Sequence, residues 1–160
     1  MMTDIEFMDE AILQAHQASN YGEVPVGAVV VLNGAIIGRG FNTMIASHDP
    51  SGHAEIQAIR QAAAFIGNYR LTGAEVFATL EPCSMCAGAM VHARIARLVF
   101  ATREPKAGVA VSNVEFFGQP FLNHRVELVE GIREEVSSAL LRGFFSARRK
   151  PGRAIKNLPN

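Results

Sequence analysis

Apolar positions along this chain recur in two periods, one typical of helices and one typical of strands. From residue 5 to about residue 19 they fall three and four positions apart, which predicts an amphipathic first helix. Residues 26–32 form a β-branched run, and 35–41 follow it after Asn33-Gly34, a strong type I′ turn signal. We therefore expect a helix followed by a β-hairpin.

After a loop at 42–52, helical and strand-like segments alternate. We expect, in order, helix 53–66, strand 75–80, helix 83–92, strand 97–101, an irregular stretch 102–124, strand 126–129 and helix 132–149. A strand–helix–strand order requires a crossover, which implies parallel pairing. The pattern thus predicts an α/β fold, a three-layer α/β/α sandwich around a five-stranded mixed sheet. No repeat or linker divides residues 1–150, so one domain is expected there, with 151–160 as a flexible basic tail.

The composition fits one globular domain. At 160 residues the chain can bury a substantial core, and its 49% hydrophobic and 19% charged residues are typical of a soluble protein. No apolar run approaches the roughly 20 residues that a membrane helix needs, and the acidic start lacks the pattern of a signal peptide. With only two cysteines, we expect a cytoplasmic protein that does not engage membranes.

Charge is unevenly distributed, although the formal net charge is zero. Residues 1–93 contain nine acidic and three basic side chains, whereas residues 94–160 contain six acidic and twelve basic ones. A basic cluster near the end suggests a polyanionic partner, although basic side chains also favour the last turn of a helix without any partner. The cluster comprises Arg142, Arg148, Arg149, Lys150, Arg153 and Lys156.

Two short segments carry most of the chemistry, His53-Ala54-Glu55 and Pro82-Cys83-Ser84-Met85-Cys86. One imidazole and two thiols are ligands that zinc prefers, and cysteines three positions apart on a helical turn can reach the same ion. Three protein ligands leave a position for water, which is typical of catalytic rather than structural zinc. Glu55 is not needed as a ligand and could move protons. Both segments should begin helices, whose dipole favours the thiolate form.

Each of these residues has an ordinary explanation when it is taken alone. A Cys-x-x-Cys pair can be a redox pair or two buried thiols. A histidine at a helix start is commonly a plain polar residue, and the helix dipole favours an early glutamate. The combination is more specific, because His-x-Glu followed by Pro-Cys-x-x-Cys resembles the zinc-dependent deaminases of the cytidine/deoxycytidylate deaminase superfamily.

Flanking segments extend the resemblance over roughly residues 5–150. They are similar to bacterial tRNA-specific adenosine deaminases, and residues 104–120 are the least similar part. The matching segments are Glu23-Val24-Pro25-Val26-Gly27-Ala28, Gly40-Phe41-Asn42, His48-Asp49-Pro50, Asn68-Tyr69-Arg70-Leu71, Thr79-Leu80-Glu81-Pro82-Cys83, Met85-Cys86-Ala87-Gly88-Ala89-Met90, Asn123-His124-Arg125-Val126, Phe144-Phe145 and Arg148-Arg149.

This resemblance implies a homodimer that converts adenosine to inosine at the wobble position of a tRNA anticodon, typically of an arginine tRNA, with release of ammonia. It implies one Zn²⁺ per subunit on His53, Cys83 and Cys86, and Glu55 as the catalytic proton shuttle. The expected substrate contacts are Asn42, Ala54, Val26 and Leu80, and the expected contacts with the anticodon stem-loop are Arg103, Lys106, Phe145, Arg148 and Arg149. The helical spacing of Leu140, Leu141, Phe144 and Phe145 fits core packing as well as RNA stacking.

Three other functions remain open at this point. The nearest is a zinc-dependent deaminase of a free nucleoside or nucleobase, such as cytidine, cytosine or guanine. A zinc-stabilised RNA-binding module is disfavoured, because a structural site would normally close with a fourth protein ligand. A thiol redox protein would leave His53 and Glu55 unexplained.

Overall fold

A computed structural model describes residues 1–149 of the chain. One five-stranded sheet, with strand order β2-β1-β3-β4-β5, forms its centre. The elements are α1 Asp4–Asn20, β1 Gly27–Leu32, β2 Ala35–Phe41, α2 Met44–Ser47, α3 Ala54–Ile66, β3 Glu75–Leu80, α4 Ser84–His92, β4 Arg97–Thr102, a 3-10 turn at Phe116–Gly118, β5 Glu127–Glu130 and α5 Glu134–Arg148.

The sheet is mixed, as its sequence pattern predicts. Strands β1 and β2 form the expected antiparallel hairpin, and both turn residues have positive φ, 51° at Asn33 and 78° at Gly34. β3 pairs antiparallel with β1 and parallel with β4, across the crossover that contains α4. β5 pairs parallel with β4 and completes the sheet.

Apolar residues cover both faces of the sheet. On one face, α1 buries Phe7 and Met8 against side chains such as Val29 and Phe77. The other face carries the larger cluster, in which α3 and α4 pack on β1, β3 and β4 around residues such as Met90 and Phe100. The expected α/β/α layering is thus confirmed.

Several boundaries differ from the expectations by one or two residues. His53 and Cys83 are N-caps, so α3 and α4 begin one residue later than predicted, and α5 begins at Glu134 rather than 132. The loop at 42–52 contains the short helix α2, which the pattern missed. The expected tail at 151–160 lies outside the described residues. In the part of the chain that the structure describes, none of the helices has the length and apolarity to cross a membrane.

Candidate active site

The site lies where the N-termini of α3 and α4 meet. His53 and Cys83 are the N-cap residues of these helices, and their carbonyls accept the first helical bonds, from Gln57 and Ala87. Neither N-cap side chain forms a capping bond with its own helix, and both line the space between the helices. The structure therefore agrees with the expectation that both segments lie at helix N-termini.

His53, Cys83 and Cys86 form a compact group of possible metal ligands. The Nδ1 atom of His53 lies 3.5 Å from the Sγ atom of Cys83 and 3.5 Å from that of Cys86. All three ligand atoms lie within 4.8 Å of one another, and Cys86 is buried. One nitrogen and two sulfurs at this spacing suit a borderline-soft ion such as zinc, with a fourth position left for another ligand.

The protonation of the two thiols also fits a cation between them. A hydrogen bond from Cys86 holds the pKa of the Cys83 thiol down at about 3, while this pairing and burial raise the pKa of Cys86. The hydrogen bond with Cys83 raises the pKa of His53. One thiolate is thus already favoured, and a bound cation would supply the charge that ionises the second thiol.

Glu55 lies on the first turn of α3 and is 4% exposed. Burial raises the pKa of its carboxyl group above the usual range. It lines the same pocket as His53 and Cys83. A buried carboxyl group with a raised pKa beside a possible metal site is suited to accept and return protons.

A pocket of about 160 Å³ opens onto these groups. Asn42, Val26 and Leu80 are part of its lining, which brings three of the expected substrate contacts to the site. Asn42 is held by two bonds: its Oδ1 accepts from the Ala54 N–H (2.9 Å), and its Nδ2 donates to the Val24 carbonyl (3.1 Å). Ala54 is fully buried and is not part of the lining, so the structure connects it to the pocket through Asn42.

The expected RNA-contact residues lie in differing environments. Arg103 forms an ion pair with Glu130 at 2.9 Å, and Lys106 is exposed. Arg148 donates to the Gly22 carbonyl (2.6 Å), and its guanidinium lies 4.5 Å from the centre of the Phe144 ring. The guanidinium of Arg148 therefore serves in part to hold α5 to the end of α1.

The remaining members of the expected RNA surface lie in a groove next to the site. Phe145, which is 43% exposed, and Arg149 line this groove. Leu141 lines it as well and packs against the core at the same time. The groove shares Val24, Leu80 and Glu104 with the site pocket, so the two are adjacent. Lys150, Arg153 and Lys156 of the basic cluster lie outside the described residues.

Five pocket residues were missed at the level of sequence, namely Val24, Met44, Glu81, Glu104 and Ala107. Glu104 and Ala107 come from the irregular stretch 102–124, in which the resemblance indicated only Arg103 and Lys106 as contact residues. A larger pocket of about 470 Å³, with Tyr69 and Phe121 in its lining, lies apart from the possible metal ligands. The chemistry therefore belongs to the smaller pocket.

Comparison with known proteins places the chain in a family. A family model described as the cytidine and deoxycytidylate deaminase zinc-binding region matches residues 1–102. A tRNA-specific adenosine deaminase of Haemophilus influenzae is 44% identical over 156 residues, which cover 97% of this chain and 90% of that protein. The match therefore extends well beyond the possible metal ligands.

Solved structures agree with this assignment. One, from work on A-to-I editing by tRNA:A34 deaminases at the wobble position of transfer RNA, has a TM-score of 0.82 and 43% identity, covering 84% of this chain and 98% of that chain. A guanine deaminase from Bacillus subtilis has a TM-score of 0.63 and 30% identity, covering 95% and 98%. The chain belongs to the tRNA-specific adenosine deaminase family, within the cytidine and deoxycytidylate deaminase superfamily.

Proposed function

We propose that this protein deaminates adenosine to inosine at the wobble position of a tRNA anticodon, with an arginine tRNA as the expected substrate. The observation that carries the proposal is the buried Glu55 beside a His53/Cys83/Cys86 group, in one pocket of a chain that is 44% identical to a tRNA-specific adenosine deaminase. Glu55, the expected proton carrier, lines the pocket together with His53 and Cys83, and the Cys86 sulfur lies within 4.8 Å of their ligand atoms. The family supplies the expectation of an RNA substrate.

His53, Cys83 and Cys86 would hold one zinc ion per subunit. Bound there, zinc would lower the pKa of water toward neutrality and so make it nucleophilic. The protein's own contribution is the open fourth position and the pocket next to it, because a fourth protein ligand would exclude water.

Glu55 carries the protons of the reaction in this proposal. Its carboxylate takes a proton from the attacking water and gives it to the ring nitrogen beside C6 of adenine. The water oxygen forms a bond to C6, and the bond from C6 to the exocyclic nitrogen then breaks. Glu55 transfers the second water proton to that nitrogen, which leaves as ammonia, and inosine remains.

The shape of the pocket favours an anticodon loop over a duplex as the substrate. A pocket of about 160 Å³ that is recessed between two helices admits a single base, so the target nucleotide must leave its stack. A loop nucleotide costs less to extrude than a paired one, since no base pair is lost. Asn42, which lines the pocket and is held by two bonds to backbone groups, is the expected contact with the nucleoside.

The groove beside the pocket is the expected path for the rest of the loop. It combines the ring of Phe145 with the guanidinium groups of Arg103, Arg142 and Arg149, a combination suited to stacking bases and holding phosphates. Since Glu130 already pairs with Arg103, Arg149 has more of its charge available to a phosphate. Lys106 is exposed between Pro105 of the groove and Ala107 of the pocket, and it would extend this surface.

A second copy of the chain is the expected partner besides tRNA. Tyr69 is 68% exposed and Phe121 is 74% exposed, and both line the pocket of about 470 Å³. Exposed aromatic groups around a recess are typical of protein–protein contacts. We therefore expect a homodimer, and we keep the cytoplasmic location that the sequence predicts.

The test is detection of inosine by mass spectrometry after zinc-loaded protein is incubated with an arginine-tRNA anticodon stem-loop. Free adenosine, cytidine and guanine are assayed in parallel. Inosine in the stem-loop alone would support the proposal. No turnover of the stem-loop by protein with zinc bound would contradict it.

A free-nucleobase deaminase is the second candidate. It is favoured by the 30% identity to a guanine deaminase structure and by the small volume of the pocket. Turnover of guanine or a free nucleoside without turnover of the stem-loop would establish this candidate instead, with the same roles for the pocket residues.

A further inference from the structure

One buried carboxylate in the lining of the pocket has no part in the proposed chemistry. Glu81 is 2% exposed and lies beneath residues 104–112, which we call the pocket-wall segment. Glu104 and Ala107 of this segment line the pocket. Glu81 precedes the possible metal ligand Cys83 by two residues.

The Glu81 carboxylate binds both ends of the pocket-wall segment. Its Oε1 accepts from the Glu104 N–H (2.9 Å), and its Oε2 accepts from the N–H groups of Val111 (2.8 Å) and Ser112 (2.9 Å). The Ser112 hydroxyl donates to it as well. A buried carboxylate is costly unless such donors satisfy it, so the closed segment and the buried charge stabilise each other.

The middle of the segment is shaped around the same carboxylate. A Cβ atom at Gly108 would lie 2.6 Å from the Glu104 carbonyl oxygen and closer still to the Glu81 carboxylate. Glycine thus leaves the space that the carboxylate occupies. The neighbouring Val109 N–H donates to the Pro82 carbonyl (3.0 Å), which adds a backbone contact beside the Cys83 position.

We propose that Glu81 is a positioning residue, which fixes the pocket-wall segment in its closed arrangement and thereby sets the affinity of the pocket for its substrate. The identity of that substrate rests on the proposed function. When only a fraction of the molecules is closed, apparent affinity falls by that fraction while turnover of bound substrate is unchanged. Loss of Glu81 therefore raises KM rather than lowering kcat.

The experiment compares E81Q, S112A and G108A with the wild-type protein on the anticodon stem-loop. Losing a charge-assisted bond should raise KM roughly tenfold or more in E81Q and G108A, with a smaller rise in S112A, while kcat stays near the wild-type value. Hydrogen exchange without RNA should become faster at the amides of Glu104, Val111 and Ser112. Zinc content should not change.

Two controls separate this role from general destabilisation. G118A adds a methyl group in the same long loop, where the nearest atom is the Glu115 Cβ at 4.0 Å. E75Q removes a carboxylate that bonds Arg97 away from the pocket. Both should keep the wild-type KM. A double variant, E81Q with G108A, should be no worse than the more severe single one, because both changes act on one contact.

An unchanged KM with a lowered melting temperature would overturn the proposal, since Glu81 would then serve the fold alone. Unchanged exchange in the pocket-wall segment would also overturn it. If E81Q does not fold, the KM values and hydrogen exchange of S112A and G108A test the proposal instead. Failure of the wild-type protein on every substrate would contradict the proposed function, whereas the exchange experiment would still test Glu81.

Discussion

The substitution G40A should displace the helix that carries half of the active site. Gly40 faces α3 from strand β2, and a Cβ atom there would lie 2.5 Å from the Ala58 nitrogen and closer still to the Ala54 carbonyl oxygen. Ordinary contact begins at 3.4 Å, so α3 must retreat by about 1 Å at this point. Both obstacles are backbone atoms, which cannot rotate away.

That displacement should lower both the free energy of unfolding and kcat/KM, and the two effects can be measured separately. Overpacking of this kind costs about 1–3 kcal/mol of unfolding free energy. A shift of about 1 Å in catalytic groups lowers kcat/KM by roughly 100-fold. His53 and Glu55 lie at the affected start of α3, whereas Cys83 and Cys86 lie at the start of α4 and stay in place.

The matched control is G38A, two residues earlier in the same strand. Its Cβ would lie 2.8 Å from the Ala62 nitrogen and closer to the Ala58 carbonyl oxygen, one turn farther from the site. The Ala54 N–H donates to Asn42 and so holds the start of α3 in place. In G38A the helix should therefore rotate about its N-terminal end. We expect a similar loss of stability with a loss of kcat/KM below about tenfold.

The assay measures inosine formation per mole of folded, zinc-loaded protein, with stability taken from urea unfolding. Zinc content is determined on the same samples. Equal losses of kcat/KM in G38A and G40A, at equal folded fraction, would refute the reasoning. So would a destabilised G40A protein with wild-type kcat/KM.

Three further predictions concern single side chains. E55Q should keep its zinc but lower kcat by about 10²–10⁴-fold in single-turnover assays, and wild-type turnover would exclude Glu55 as the proton carrier. Asp4 accepts a hydrogen bond from Arg97, which lowers the pKa of the Asp4 carboxyl group. The ionised Asp4 therefore stabilises the folded state above about pH 3.9, and this contribution is lost as pH falls through the lower folded pKa. D4N should therefore lower unfolding free energy by about 0.5–1 kcal/mol at pH 7 and flatten its acid dependence; an unchanged urea profile would contradict this. R149Q should reduce the slope of log K for RNA binding against log salt concentration by about one unit. R148Q should mainly lower the free energy of unfolding, because the Arg148 guanidinium binds the Gly22 carbonyl. Equal salt slopes for the two variants would refute this distinction.

Sequence predicted those features that depend on local pattern. Helix and strand periods, the Asn33-Gly34 turn and the crossover of α4 follow from neighbouring residues, and each is present in the structure. The possible metal ligands were found because His53 and the two cysteines carry unusual chemistry at short spacing. In both cases the signal lies within a few residues of the feature itself.

Features that depend on contacts between residues far apart in the sequence have no such local signal. Helix α2 has only four residues, and Glu23 stabilises it by accepting from the N–H groups of Ile45 (3.1 Å) and Ala46 (2.8 Å). α5 begins after Arg133 with φ of 59° and no side-chain cap, which no start motif predicts. The partners of Glu81 lie 23 to 31 residues away. Such side-chain-to-backbone bonds have no period to detect.

The direction of the strands explains why these parts meet at one place. β2 is antiparallel to β1, and β1 is antiparallel to β3, so β2, β3 and β4 all run the same way. Their carboxyl ends therefore share one edge of the sheet, the edge where α/β proteins commonly bind ligands. Asn42 and α3 follow the first of these ends, the cysteines follow the second, and the pocket-wall segment follows the third. Because the possible metal ligands and the wall come from different strand ends, changes in residues 104–112 should alter substrate preference while leaving zinc binding intact.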